Sequence, residues 1–100
     1  MTDAQPSTIQ PGTVWTDNRR NSRGLTIRID RVDGEHALCT VLTNRAGARR
    51  SRIGKSARVP LASFQTGATL IGYSPATERQ LAIVRELGSL DLPDPWSTTP

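Results

Sequence analysis

Apolar and polar residues alternate along Leu25-Thr26-Ile27-Arg28-Ile29-Asp30, and this period of two predicts a β-strand running through Val32. Leu25, Ile27 and Ile29 take the core face of that strand, and Thr26, Arg28 and Asp30 take the water face. Asp33-Gly34 follows directly. Such a pair is the preferred tight hairpin turn, because both central residues need positive φ. It leads into a returning strand over His36–Thr43, which is apolar on both faces and therefore central in a sheet. Shorter patterns flank this hairpin. Pro11-Gly12 signals a turn ahead of a strand over Thr13–Asp17. Ser56–Leu61 places Ala57, Val59 and Leu61 on one face, and Pro60, which lacks an N–H, marks an edge or a strand exit. Ala62-Ser63-Phe64 reads as one short turn carrying a buried Phe, and Ala68–Tyr73 reads as a last strand.

Beyond Ser74-Pro75, which stop that strand, the period changes. Thr77-Glu78-Arg79-Gln80 has the capping-box pattern. Leu81, Val84 and Leu87 then recur three apart, and Ile83 with Leu87 four apart, which predicts a short helix with one apolar stripe ended by Gly88. A helix this short is not stable alone. It docks on its own domain, on a second copy or on a partner. The predicted organisation is a flexible polar arm at 1–10, a β domain at 11–75, a helix at 76–88 and a Pro-rich extended tail at 89–100. Five short strands, tight turns and a one-turn break before the last strand predict a mainly β fold. The best match is a small five-stranded SH3-like barrel with one short C-terminal α-helix, since closure removes most free edges. An OB-like barrel is the alternative, but it normally needs a longer chain and an intervening helix.

Length and composition narrow the function. One hundred residues make one small domain with tails. No apolar run approaches the ~18 residues of a membrane span. Residues 1–7 lack the basic and apolar regions of a secretory leader, and Cys39 is the only cysteine, so no internal disulfide forms. These features point to the cytoplasm. Twelve of the thirteen basic residues are Arg, a bias that suits a GC-rich coding genome as well as selection for bidentate phosphate contacts. Residues 11–75 carry eleven basic and four acidic residues, whereas 76–100 carry two basic and four acidic ones. A basic body with a mildly acidic tail is a statement about partners.

Residues 44–59, NRAGARRSRIGKSARV, hold six basic residues and no acidic one. The Gly54-Lys55-Ser56 triplet suggests a phosphate-binding P-loop, but the first glycine of that motif belongs at position 49, which is Arg49. The β-prone run after Ser56, stopped by Pro60, opens no helix either. The stretch is a basic loop. In an antiparallel meander it shares one end of the sheet with the loop holding Arg19, Arg20 and Arg23. Arg19, Arg20, Arg23, Arg45, Arg49, Arg50, Arg52 and Lys55 then form one cationic end, with Asp33 and Glu35 opposite. Guanidinium groups on loops that contain Gly47 and Gly54 suit phosphates, so the leading expectation is nucleic-acid binding through the DNA or RNA backbone. A solvated loop tip is the plain alternative.

Other chemistry is weakly supported. His36 and Cys39 are the only His and Cys, and an odd separation puts them on opposite faces of a strand, so neither a metal site nor a Cys-His nucleophile is expected. Asp30, Asp33 and Glu35 cluster at a hairpin that offers no cleft for acid–base work. Trp15, Phe64 and Tyr73 are expected in the core rather than on a base-stacking platform. Trp96 has no local core, and either folds back on the domain or anchors a partner. No enzyme constellation is present, and no cofactor is expected.

The runs Pro11–Asp17, Asp33-Gly34 with Ala37–Thr43, and Arg58–Phe64 resemble small, uncharacterised proteins encoded by actinobacterial phages, with an SH3-like look. The resemblance covers about residues 11–73. It implies a phage-derived gene acting in the cytoplasm of a high-GC host and supplies no catalytic residue. It adds a second functional expectation from another class: an effector that binds and modulates a host protein through the barrel groove, the helix residues Leu81, Val84 and Leu87, or the Trp96 tail.

Overall fold

Five strands form a single antiparallel sheet in the computed structural model, which describes residues 9–18, 24–64 and 72–96. They are β1 (Val14–Asp17), β2 (Thr26–Asp33), β3 (His36–Thr43), β4 (Ser56–Pro60) and β5 (Tyr73–Pro75), in the order β4-β3-β2-β1-β5. The hairpin forms where predicted, but its turn is displaced by one residue. Asp33 ends β2 paired with His36, so Gly34 and Glu35 are the central pair, with Gly34 alone at positive φ (61°), and the expected positive φ at Asp33 is not found. β3 is an interior strand between β4 and β2, one place from the predicted centre of the sheet, and its two apolar faces are both buried. The fold is mainly β and consistent with the predicted SH3-like barrel. Among the described residues, however, no ladder joins the edge strands β4 and β5. The 3-10 turn Leu61–Phe64 touches both of these strands and buries Phe64.

One face of the sheet carries the main core: Trp15, Leu25, Ile27, Ile29, Ala37, Cys39 and Val41, closed by Val59, Phe64 and Tyr73. Phe64 meets Trp15 edge-on at 5.1 Å and stacks on Tyr73 at 5.2 Å, so the three aromatics are packing residues as predicted.

The last strand differs from the sequence reading. Most of the predicted stretch Ala68–Tyr73 lies outside the described residues, and pairing is seen where Ser74-Pro75 should have ended it. Trp15 faces Pro75 and Asp17 faces Tyr73. Proline is tolerated there because β5 is an edge strand, so its missing N–H removes no bond on the outer side. Just before it, Gly72 sits at φ 113°, and a Cβ there would come within 2.6 Å of the Ser63 carbonyl oxygen. The close approach of β5 to the 3-10 turn therefore requires glycine.

The second difference concerns the polar face of β2. Thr26, Arg28 and Asp30 are not in water. Thr26 is 2 % exposed, and the side chains of Arg28 and Asp30 are 11 % and 3 % exposed. The cover is the C-terminal segment. Helix α1 (Glu78–Leu87) starts at the predicted capping box, where Thr77 and Gln80 exchange side-chain-to-backbone bonds, and stops at left-handed Gly88. Gln80 Nε2 also donates to Thr16 Oγ1 at 3.0 Å, which ties the helix to β1. A 3-10 turn, Ser89–Asp91, and the following residues then cross β3. Leu38, Leu42 and Val84 are buried but lie outside the main core, so this side of the sheet has its own thin apolar layer.

A register shift makes that cover possible. Ile29 faces Cys39 and Arg31 faces Leu38, which leaves Asp30 as an extra residue in β2. The extra residue resets the alternation, so that Arg28, Asp30 and Arg31 all serve the outer face. Arg28 then donates to the carbonyls of Leu90 and Leu92 at 2.8 and 2.7 Å, and Arg31 pairs with Asp94 at 2.9 Å.

Candidate nucleic-acid interface

The β3–β4 connection is held by a short set of bonds at its base. Val41 and the Gly54–Lys55 backbone continue the ladder, with Gly54 N–H donating to Val41 O at 2.8 Å and Val41 N–H to Lys55 O at 2.9 Å. Asn44 then pins the loop across its neck: its Oδ1 accepts the Arg52 N–H at 2.6 Å, and its Nδ2 reaches Ser51 Oγ at 3.4 Å. Gly47 and Gly54 take positive φ, as the reversals on either side of the tip require. A side-chain amide that bonds backbone across a loop fixes its shape without covering it with apolar residues.

Arg45, Arg49, Arg50, Arg52 and Lys55 stand exposed on this frame and line a broad open concavity with Asn44, Ser51 and Ser56. None of the five makes an ion pair or a side-chain hydrogen bond with any described residue. The two ion pairs among the described residues, Arg28–Asp30 and Arg31–Asp94, are both elsewhere. Asp33 and Glu35 lie at the opposite end of β3, eight residues or about 25 Å away at ~3.3 Å per residue. That distance exceeds the ~8 Å screening length at physiological salt, so these acids do not neutralise the loop.

Arg19, Arg20 and Arg23 lie outside the described residues. The flanking Gly24, however, packs directly on the loop base. A Cβ built on it would come within 3.4 Å of the Ala46 nitrogen, and its carbonyl accepts a bond from Thr43 Oγ1 at 2.8 Å. Gly24 thus sits at the same end of the sheet as the Arg-rich loop.

The four residues expected to face a partner do not act together. Val84 is fully buried within the chain and Leu81 is half-buried. Trp96 is folded back, with its indole N–H donating to Cys39 O at 3.0 Å. Only Leu87, with its neighbour Ile83, stays in water. Val84, at the middle of the helix stripe, and the tail are held by their own domain because the outer face of β2 and β3 needs cover. Cys39 is a core thiol pushed up to about 12 by burial and, secondarily, by the Asp30 charge, and His36 is half-buried at the β3 start. No group of three or more metal-ligating side chains is found among the described residues, and no helix there is long and apolar enough to cross a membrane.

Sequence reasoning missed Asn44 and the Arg28–Asp30–Thr40 cluster. For Asn44 the available signal is its place at a strand end, opening a long loop with glycines. The cluster has no local signal. Comparison with protein-family models, with curated proteins and with solved structures gives no match for this chain.

Proposed function

We propose that this protein binds nucleic acid through the phosphate backbone, using Arg45, Arg49, Arg50, Arg52 and Lys55, together with Arg19, Arg20 and Arg23. The observation that carries the reading is the gathering of five exposed cations on a pinned loop with no carboxylate partner among the described residues. Crowded like charges repel, and an anion at the loop relieves that repulsion. Guanidinium groups match phosphate oxygens in pairs. Trp15, Phe64 and Tyr73 are in the core, so the surface offers no stack of aromatic rings for unpaired bases. Duplex backbone, read by shape, is the fitting target. The sequence resemblance would place this target inside a high-GC bacterial cell.

The test is binding to a short duplex across a salt series. With about five phosphate contacts, log K should fall against log[salt] with a slope near −4 to −5. Replacing Arg49, Arg50 and Arg52 together by Ala should flatten the slope by up to about three and leave the fold intact, since exposed loop charges contribute little to stability. Reversing the charges of Asp33 and Glu35 should change binding far less. No binding by the parent at ~50 mM salt, or equal binding by the triple variant, would refute the proposal.

A further inference from the structure

Ile83 and Leu87 are 47 % and 58 % exposed, one helical turn apart on the same face of α1. They form one wall of an open groove of about 350 Å³. Gly24, Thr26, Thr43 and Asn44, from the end of the sheet, form the other, and Gln80 also lines it.

The polar groups of this groove are already engaged. Thr43 Oγ1 donates to Gly24 O and accepts from Thr26 N–H and from the Thr26 hydroxyl at 2.8 Å. Gln80 Oε1 accepts the Thr77 N–H, and Gln80 Nε2 donates to Thr16. Asn44 Oδ1 is taken by Arg52. The groove therefore offers apolar contact and few hydrogen bonds. A nucleobase would lose its edge bonds there and find no ring to stack on. Aliphatic or aromatic side chains lose nothing.

Charge sets the rest of the occupant. Asn44 lines both this groove and the concavity of the basic loop, so the groove opens towards five unpaired cations. On the other flank of Ile83, Arg79 and Glu86 are exposed and offset one another. We infer that groove and loop together dock an acidic polypeptide segment carrying two apolar anchor side chains about one helical turn apart, as a helix-in-groove contact does. Its carboxylates take the same arginines as phosphate does, so the segment and nucleic acid exclude one another. This exclusion rests on the function proposed above; the docking does not.

The test starts from a yeast-displayed library of random peptides about as long as four helical turns, selected on the full chain. The enriched sequences should be acidic with two apolar residues three or four apart. A peptide made from them should bind in fluorescence anisotropy and lose about tenfold or more in affinity in three cases: when its anchors become Ser, against Ile83→Ser with Leu87→Ser, and against Arg49→Ala with Arg50→Ala and Arg52→Ala. Circular dichroism melts check that the variants fold, and the milder Ile83→Ala should give a smaller loss in the same direction. The docking is overturned by no enrichment, by enrichment of neutral or basic peptides, or by affinity that ignores Ile83 and Leu87. A dimer in sedimentation equilibrium that Leu87→Ser abolishes would assign the groove to a second copy and also overturn it. A duplex that displaces the peptide supports the exclusion, and simultaneous binding refutes it. A duplex that fails to bind at all removes the proposed function and the exclusion, and leaves the docking to stand on the peptide results.

Discussion

Replacing Arg28 by Ala should unfasten the C-terminal segment and cost more than any surface change in the molecule. The guanidinium donates Nε to Asp30 Oδ1 at 2.7 Å and Nη2 to Thr40 Oγ1 at 3.1 Å. Its Nη1 serves the Leu90 and Leu92 carbonyls. After Arg28→Ala the Asp30 carboxylate, 3 % exposed, keeps only the Thr40 hydroxyl at 2.5 Å. A buried charge that loses its partner costs about 3–5 kcal/mol. The two carbonyls add little, because the tail can lift and let water reach them. The loss should therefore lie near 3–5 kcal/mol, a large part of the ~5–15 kcal/mol that holds a domain together. Urea melts followed by circular dichroism measure it. The fluorescence difference between each protein and its Trp96→Phe version isolates the tail indole, which should become more exposed in Arg28→Ala. Removing Asp30 as well takes away the stranded charge, so Arg28→Ala with Asp30→Ala should be less destabilised than the two single changes summed. A loss below about 1 kcal/mol, or strict additivity, would refute the view that this cluster holds the tail.

Deleting residues 76–100 should lower the melting temperature by at least about 8 °C and raise binding of an apolar dye, since burying Val84 alone contributes roughly 2 kcal/mol; an unchanged melt would show that the outer face does not need its cover. Gly72→Ala should cost about 1–3 kcal/mol through the clash with Ser63 and the positive φ, whereas the open site at Gly12 should tolerate the same change better, and equal melts for the two would contradict the packing. The Cys39 thiol is raised from 9.0 to about 12 by burial and then by Asp30, so the unfolded chain ionises it first. Its contribution to stability is complete below pH 9 and falls as pH rises from there towards 12, with a slope approaching ~1.4 kcal/mol per pH unit that Cys39→Ala should lack; identical alkaline slopes for the two proteins would refute this.

What could be read from the chain was what short-range chemistry decides. Leu25, Ile27 and Ile29 went to the core, the hairpin reversed at Gly34, one residue later than the Asp33-Gly34 pair suggested, and Thr77 with Gln80 capped the helix, because each depends on neighbours within a few positions. Alternation also identified a polar face on β2 but took it for a wet one. Its cover arrives from the C-terminal segment beginning at α1, far along the chain, and strand periodicity carries no information about that. The pattern did falter at Arg31, where alternation stops, and that is where the register shift falls. Of the candidate interface, the basic character and loop state of 44–55 were legible. The Asn44 pin and the adjoining Ile83–Leu87 groove were not, since both depend on which loop ends meet in space. For Val84 and Trp96 the sequence left own-domain docking and partner contact both open, and the burial of Val84 and the Trp96–Cys39 bond select the first.

The position of β1 has a kinetic consequence. It is inserted between β2 and β5, so the sheet is completed only when residues 14–17 meet residues 73–75. The Asn18 Nδ2 to Ser74 Oγ bond alone closes a loop of 56 residues. Closure entropy rises with loop length, and contacts that far apart slow folding. The β2–β3–β4 meander, joined by local connections, is the natural nucleus, and the β1–β5 seam with its helix and tail forms on the downhill side of the barrier. Substitutions in the meander should then slow folding, while those at the seam should mainly hasten unfolding. The Arg-rich loop belongs to the early part. The face that α1 and the tail cover is the last to be sealed and, in a folded molecule, the first to open.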